Sequence, residues 1–233
     1  MSWFKFKGTT STSMGLVVDT YPPIIRAAER IETVTIPGRS GELTLVSGVP
    51  AYESYVKEVD CYIAGTTNVE AITAWLSGRG DVIFGNEPTY AYEARVVNEV
   101  SYDQVLRGRG HRNFVIPFVV QPLKKLVTTE ADIVKTTYGP ITNPGTAVSR
   151  PRLLVQGTGD VSLFIGQYIT HITGLNGSIV IDSELGMATN AAGTGNLSHM
   201  VSGDWPLLVP GSNAYNRAGA VTQVTITPRW RWL

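Results

Sequence analysis

Residues 35–45 read TIPGRSGELTL: a Pro-Gly pair, and a second glycine three positions on, between two short runs with strand character. Pro37 fixes φ for the second position of a type II turn and Gly38 accepts the positive φ of the third. The stretch therefore predicts a stiff hairpin that presents Arg39 at a set angle, with Gly41 letting the return strand leave closely.

Outward from this hairpin the same texture recurs. WFKFK (3–7), GLVVDT (15–20), ERIETVTI (29–36), ELTL (42–45) and YVKEVDCYI (55–63) are short alternating runs bounded by turn residues. In the last, Val59, Cys61 and Ile63 share one face and Glu58, Asp60 and Tyr62 the other, as a half-buried strand requires. One segment departs from the period of two. In TTNVEAITAWLSG (66–78), Thr67 and Glu70 have capping-box spacing, Val69, Ile72, Trp75 and Leu76 fall on one helical face, and Gly78 supplies the stop. A short helix plugging one open end of a β-barrel is the expectation. DVIF (81–84), YAYEARVV (90–97) and NFVIPFVVQPLKK (113–125) complete a first unit. Pro117 is expected at an edge or bulge, and Pro122 ends the last run.

Beyond residue 125 glycine, threonine and asparagine rise and charge thins, which predicts a second domain over 126–233 after a first over 1–125. Its strands are RLLVQ (152–156), VSLFI (161–165), QYITHI (167–172), SIVID (178–182) and AVTQVTIT (220–227). Asn176-Gly177 reads as the turn of a tight hairpin between the third and fourth of these. The fold class is mainly β: a sandwich or barrel with one short α-helix, then a second β-sandwich.

Composition narrows the function. The 233 residues carry 19 Lys+Arg against 19 Asp+Glu, and only 16% are charged, which suits an assembly subunit better than a monomer kept apart by repulsion. Residues 1–122 hold 11 basic and 13 acidic side chains and residues 123–233 hold 8 and 6, so neither half offers a field for gripping phosphates. The single cysteine, Cys61, excludes an internal disulfide framework and reads as a small buried hydrophobe. No run approaches the roughly 18 apolar residues of a membrane span, and MSWFKFKG lacks the apolar core of a secretion signal. Assembly in a cytoplasm without membrane insertion is expected.

No catalytic or cofactor motif is present. His111, His171 and His199 lack partners at metal-ligand spacing, and there is no G-x-S-x-G, P-loop or dinucleotide-binding glycine pattern. Asp182 and Glu184, two apart, would share one strand face as an acid/base pair, but a strand ending IDSELG more often uses its Asp to bond the turn backbone. Trp205 in SGDWPLLVPGSN has the type needed to stack on a sugar, and equally to anchor the long connection 186–215. The arginines of LRGRGHR (106–112) lack interleaved aromatics and read as a hairpin tip rather than an RNA site. The RGD at 79–81 runs straight from the helix stop into a strand and is taken as chance.

Taken in order, SMGLVVDT, ERIETVTIPGRSGEL, the helix, PTYAYEARV and the closing SGDWPLLVPGSNAY…VTQVTITPRWRWL resemble the distal tail protein family of long-tailed bacteriophages over nearly the whole chain. IPGRSGEL is the most specific block. The resemblance implies an N-terminal domain that closes into a ring, six-fold, at the tail tip of the virion. It also implies a peripheral galectin-like C-terminal sandwich, with the last strand and tail packing back on the first domain. Implied partners are further copies of the chain, the tail tube protein and a tail-tip, fibre or tail-associated lysin protein, with DNA only passing through the channel. It implies no enzyme activity and no cofactor. Pro37, Gly38, Arg39 and Gly41 become inter-subunit candidates, and Trp205 and Asn213 a contact surface of the second domain. The alternative is a carbohydrate-binding β-sandwich for host-surface recognition, although the C-terminal half is too short to hold an inserted module.

Overall fold

The structure, a computed structural model, describes residues 2–45, 48–63, 69–97, 100, 103–104 and 112–233. The chain divides into two compact units, Met1–Val127 with Leu233, and Thr128–Trp232. Both are β, every named strand pair is antiparallel, and the single α-helix among the described residues is short. No helix among the described residues is long and apolar enough to cross a membrane.

Unit 1 contains β1 (Phe4–Phe6), β2 (Thr9–Thr10), β3 (Leu16–Thr20), β4 (Glu32–Val34), β5 (Leu43–Leu45) and β6 (Tyr55–Ile63). After α1 (Val69–Leu76) come β7 (Arg79–Phe84), β8 (Tyr90–Val96), β9 (Asp103–Gln104), β10 (Arg112–Val120) and β11 (Lys125–Leu126). All but β4 and β5 form one sheet in the order β2-β1-β7-β8-β10-β6-β3, with β9 on β10 and β11 on β8. The period of two sets the faces: Val59, Cys61 and Ile63 of β6, and Phe114, Ile116, Phe118 and Val120 of β10, are buried while Glu58 and Val115 are exposed. β1 and β10 stand three places apart, about 14 Å in a flat sheet. The Phe118 ring nevertheless meets Phe4 at 5.5 Å and Phe6 at 5.4 Å between centroids, so the sheet curls until its inner face closes on itself. Pro117 lies in Phe114–Pro117, a stretch laddered to β6 just before pairing with β8 begins at Phe118.

The helix covers this core as its periodicity predicts. Ile72 and Leu76 are buried, Trp75 stacks on Phe4 at 5.5 Å and 15°, and its Nε1–H donates to the Phe6 carbonyl at 3.1 Å. The Lys7 ammonium donates to the Trp75 and Ser77 carbonyls, placing a cation where the helix dipole favours one. Thr67 of the expected capping box lies outside the described residues, as does the RGRGH of 107–111.

Unit 2 contains β12 (Ile133–Lys135), β13 (Ile141–Asn143), β14 (Arg152–Ile165), β15 (Tyr168–Asp182), β16 (Met187–Thr189), β17 (Val201–Gly203), β18 (Gly211–Asn213) and β19 (Tyr215–Thr227). The main sheet runs β12-β19-β14-β15-β16 with β17 also on β15, and β13 pairs β18. Here the sequence reading needs correction. RLLVQ and VSLFI are two halves of one strand, as are QYITHI and SIVID, and Asn176-Gly177 sits in mid-strand opposite Thr158 and Gly157 rather than in a hairpin turn. The turn is Gly166-Gln167, between the paired Ile165 and Tyr168. The strands survive their glycines because the irregularities are grouped: β14 shifts register against β15 between Gly159 and Val161, and against β19 between Gln156 and Gly157 and between Thr158 and Ser162. A shared crease bends all three strands without ending any of them. Leu153, Val155, Leu163, Ile165, Ile179, Ile181, Val224 and Ile226 then face one core.

Candidate functional site

Between β3 and β6 the chain leaves the first sheet and returns, and among the described residues of unit 1 this excursion holds the longest exposed run. Its lower legs pair through Arg30 N–H to the Ala51 carbonyl and Glu53 N–H to the Ala28 carbonyl, both 2.8 Å. Arg30 Nε also meets Glu53 Oε1 at 2.6 Å, where solvent reaches both side chains. Above them β4 and β5 pair with Glu32 opposite Leu45 and Val34 opposite Leu43. At the tip, Gly38 has φ 83 and Arg39 N–H donates to the Ile36 carbonyl at 3.1 Å, with Pro37 at the second turn position. Gly41 also takes positive φ, 82.

Every residue from Ile31 to Glu42 is exposed, and the arm carries Ile24, Ile25, Ile31, Val34 and Ile36 among its exposed large apolar side chains. A two-stranded ribbon alone is marginally stable in water, and Val34 of this one and Ile36 at its tip face solvent. The apolar positions were legible as strand residues; that they face solvent was not, because alternation does not say which strands lie within reach of a core.

The acid pair of the sequence has a structural role. Asp182 closes β15 and Glu184 lies in the turn beyond, so the two carboxylates do not share a strand face. Asp182 Oδ1 and Oδ2 each accept from Arg229 at 2.7 Å, and Oδ1 also accepts the backbone N–H of Glu184 and Leu185 at 3.1 and 3.2 Å. The Arg229 fork foremost, helped by those turn N–H groups, holds the Asp182 carboxyl below its ordinary range against the opposing effect of burial. That is a turn lock, with no proton to give. Asp182→Asn removes the ionic component and is expected to cost about 1–3 kcal/mol in chemical denaturation; an unchanged midpoint would refute the lock.

Asn213 is 1% exposed, which removes it from any contact surface. Its Nδ2 donates to the Val209, Gly211 and Ile141 carbonyls at 2.8, 3.1 and 3.3 Å, and Oδ1 accepts Val209 N–H at 2.9 Å, a buried amide with every bond made. Trp205 is half-buried against the second core. Burial, with Asp60 and Asp19 nearby, pushes the Cys61 thiol up to about 12, so it is an inert packing residue. His171 Nδ1 lies 2.8 Å from Ser162 Oγ in an exposed cross-strand pair, and among the described residues no cluster of His, Cys, Asp or Glu could hold a metal.

Sequence reasoning missed the group at the foot of the arm. Lys57, alternating with Val59 and Cys61, points inward and is 0% exposed; its Nζ meets Glu87 Oε2 at 2.8 Å. Glu87 also accepts from the Tyr92 hydroxyl at 2.8 Å and Lys124 Nζ at 3.2 Å. The signal was a lysine in phase with the apolar face of β6.

No family model matches this chain, and no curated protein does. Among solved structures, the phage P2 baseplate in its activated conformation, with Ca and with Sr, aligns at TM-scores of 0.46 and 0.45 and 8% identity, over 97% of this chain and 97% and 98% of those chains. SPP1 Dit (gp 19.1), described as a paradigm of hub adsorption apparatus in Gram-positive infecting phages, aligns at a TM-score of 0.77 and 17% identity over 100% of both chains. From its first residue to its last, this chain shares the fold of SPP1 Dit.

Proposed function

We propose that the protein is a structural component of a bacteriophage tail tip: a hub whose copies dock side by side into a closed ring, six-fold, joining the tail tube to the tail-tip or fibre protein and leaving a channel for DNA. The observation that carries this reading is the full-length fold match to a protein described as a hub of an adsorption apparatus. The exposed apolar arm agrees with it, since a closed ring needs one projecting feature per subunit that fits a different patch on the next. Arg39 at the tip, together with Pro37, Gly38 and Gly41 that shape the turn, meets the neighbouring copy in this reading. The balanced charge suits a conduit, because each phosphate neutralised by a cationic lining would add a salt-dependent hold on passing DNA. The work is assembly rather than catalysis, and its place is the virion.

Native mass spectrometry tests the reading directly. The wild-type chain is expected as a closed homo-oligomer at micromolar concentration, and Arg39→Ala is expected to raise the concentration needed for assembly at least tenfold. A chain that stays monomeric at every concentration, with or without a tail tube partner, overturns the ring; unchanged assembly of Arg39→Ala removes the tip from the contact.

A further inference from the structure

The first leg of the arm leaves β3 through Tyr21-Pro22-Pro23. A proline has no N–H, so neither can continue an antiparallel ladder, and the carbonyls at this exit need donors from elsewhere. Side chains of unit 1 supply them in series. Asn86 Nδ2 donates to the Pro22 carbonyl at 3.0 Å, Lys57 Nζ to the Pro23 carbonyl at 3.2 Å, and the Tyr55 hydroxyl to the Ile25 carbonyl at 3.3 Å. Tyr55 and Lys57 open β6, the strand into which the second leg of the arm runs, and Asn86 sits in the turn between β7 and β8. Both legs are thus tied to one place.

The middle tie is expensive for a core. An ammonium at 0% exposure must be compensated in full, and an apolar side chain of similar volume would usually serve the packing as well or better. Compensation comes from Glu87, braced by Tyr92 and Lys124, and from the Phe84 and Tyr92 rings at 5.2 and 4.7 Å from Lys57 Nζ. What lysine adds over an apolar residue is the bond that leaves the cluster, to the Pro23 carbonyl.

We infer that the Lys57–Glu87–Lys124 cluster is a positioning clasp that seats the root of the arm on unit 1, so that the arm projects as a rigid element in the free subunit before any partner is met. Its purpose rests on the assembly reading above, but its mechanical effect does not. Three donors on one leg, and on the other the entry into β6 at Tyr55, hold the root at both sides, and a rigid projection loses less conformational freedom on docking than a floppy one.

Amide hydrogen exchange on the full chain, diluted to where native mass spectrometry gives monomer, reads the clasp. Lys57→Met keeps the volume and leaves Glu87 with Lys124 and Tyr92. It is expected to speed exchange at the Arg30 and Glu53 amides at least tenfold while β14 and β15 exchange as in the wild type. The pair Tyr55→Phe with Asn86→Ala removes the two flanking donors and keeps all three charged groups of the cluster, although Tyr55 also bonds Tyr92; it is expected to act in the same direction by about threefold, and decides the matter if Lys57→Met does not fold. Folded variants whose arm amides exchange at the wild-type rate overturn the clasp. Faster exchange in a chain whose wild type never assembles upholds the clasp and sinks the ring reading instead.

Discussion

Glu87→Ala is expected to destabilise unit 1 by about 3–5 kcal/mol, the cost of leaving a buried charge without its partner. Three donors converge on this one carboxylate, and two of them, Lys57 and Lys124, carry charge with side-chain exposures of 0% and 12%. Alanine takes away the acceptor and leaves both ammonium groups facing Tyr92 and each other. The comparison that isolates the cause is Lys57→Met with Glu87→Leu, which removes both ends of the central pair, leaves the less buried Lys124 and the Tyr92 hydroxyl without their acceptor, and is expected to cost less than Glu87→Ala despite losing more polar contacts. Urea titration with near-ultraviolet circular dichroism measures both. A Glu87→Ala loss below about 1 kcal/mol would show that water reaches the cluster and that the pair is weaker than its burial implies.

The same carboxylate gives unit 1 a pH dependence of known sign. Burial alone would raise the Glu87 group, but the Lys57 hydrogen bond, with those of Tyr92 and Lys124, brings it below its ordinary value. A carboxyl depressed in the folded state stabilises fully above its unfolded pKa of about 4.3, and that contribution is lost as pH falls through the lower folded value. Asp182 acts in the same direction in unit 2. Lys57 is pushed down by burial against the pull of Glu87, and a depressed lysine gains stability as pH rises from its lowered folded value to its unfolded value near 10.4, where the gain is complete. Stability therefore falls below about pH 4, and more gently in Glu87→Ala than in the wild type.

Much of the fold could be read from the period of two. The inward face of β6, the helix stripe of Ile72, Trp75 and Leu76, and the Pro37-Gly38 turn are local patterns that tertiary structure had no reason to override. What failed was punctuation. Gly157, Gly159, Gly174 and Gly177 each look like the end of a strand, yet in register across neighbours they only bend one, and register is a property of three strands at once. The carboxylate pair failed for a similar reason: Arg229, 47 positions from Asp182, decides what that side chain does, and no spacing within IDSELG reports it. The arm was legible as a hairpin but not as an exposed one, and Asn213 read as surface although its neighbours bury it.

The crease itself yields the second large effect. Gly219 has φ 87, and a Cβ there would lie 2.4 Å from the Asp160 carbonyl oxygen and 3.0 Å from Val161 Cα, both backbone atoms that cannot swing aside. Gly219→Ala therefore meets two costs, about 1–2 kcal/mol for the left-handed backbone and about 1–3 kcal/mol for forcing β19 away from β14. The expected loss is about 2–5 kcal/mol, read as a lower guanidinium midpoint of the unit 2 transition by tryptophan fluorescence. Two neighbours separate the terms. Gly159 has φ 77 with nothing within 4 Å of its ideal Cβ, so Gly159→Ala is expected to cost only the backbone part, about 1–2 kcal/mol. Gly157 does not take positive φ, but its Cβ would meet the Ala220 carbonyl oxygen at 2.4 Å, so Gly157→Ala carries the steric part, about 1–3 kcal/mol. If all three substitutions cost the same small amount, the strands have room to slide at this level and the crease does not depend on glycine. If Gly219→Ala exceeds both of the others, close backbone approach between β14 and β19 is part of what shapes the crease.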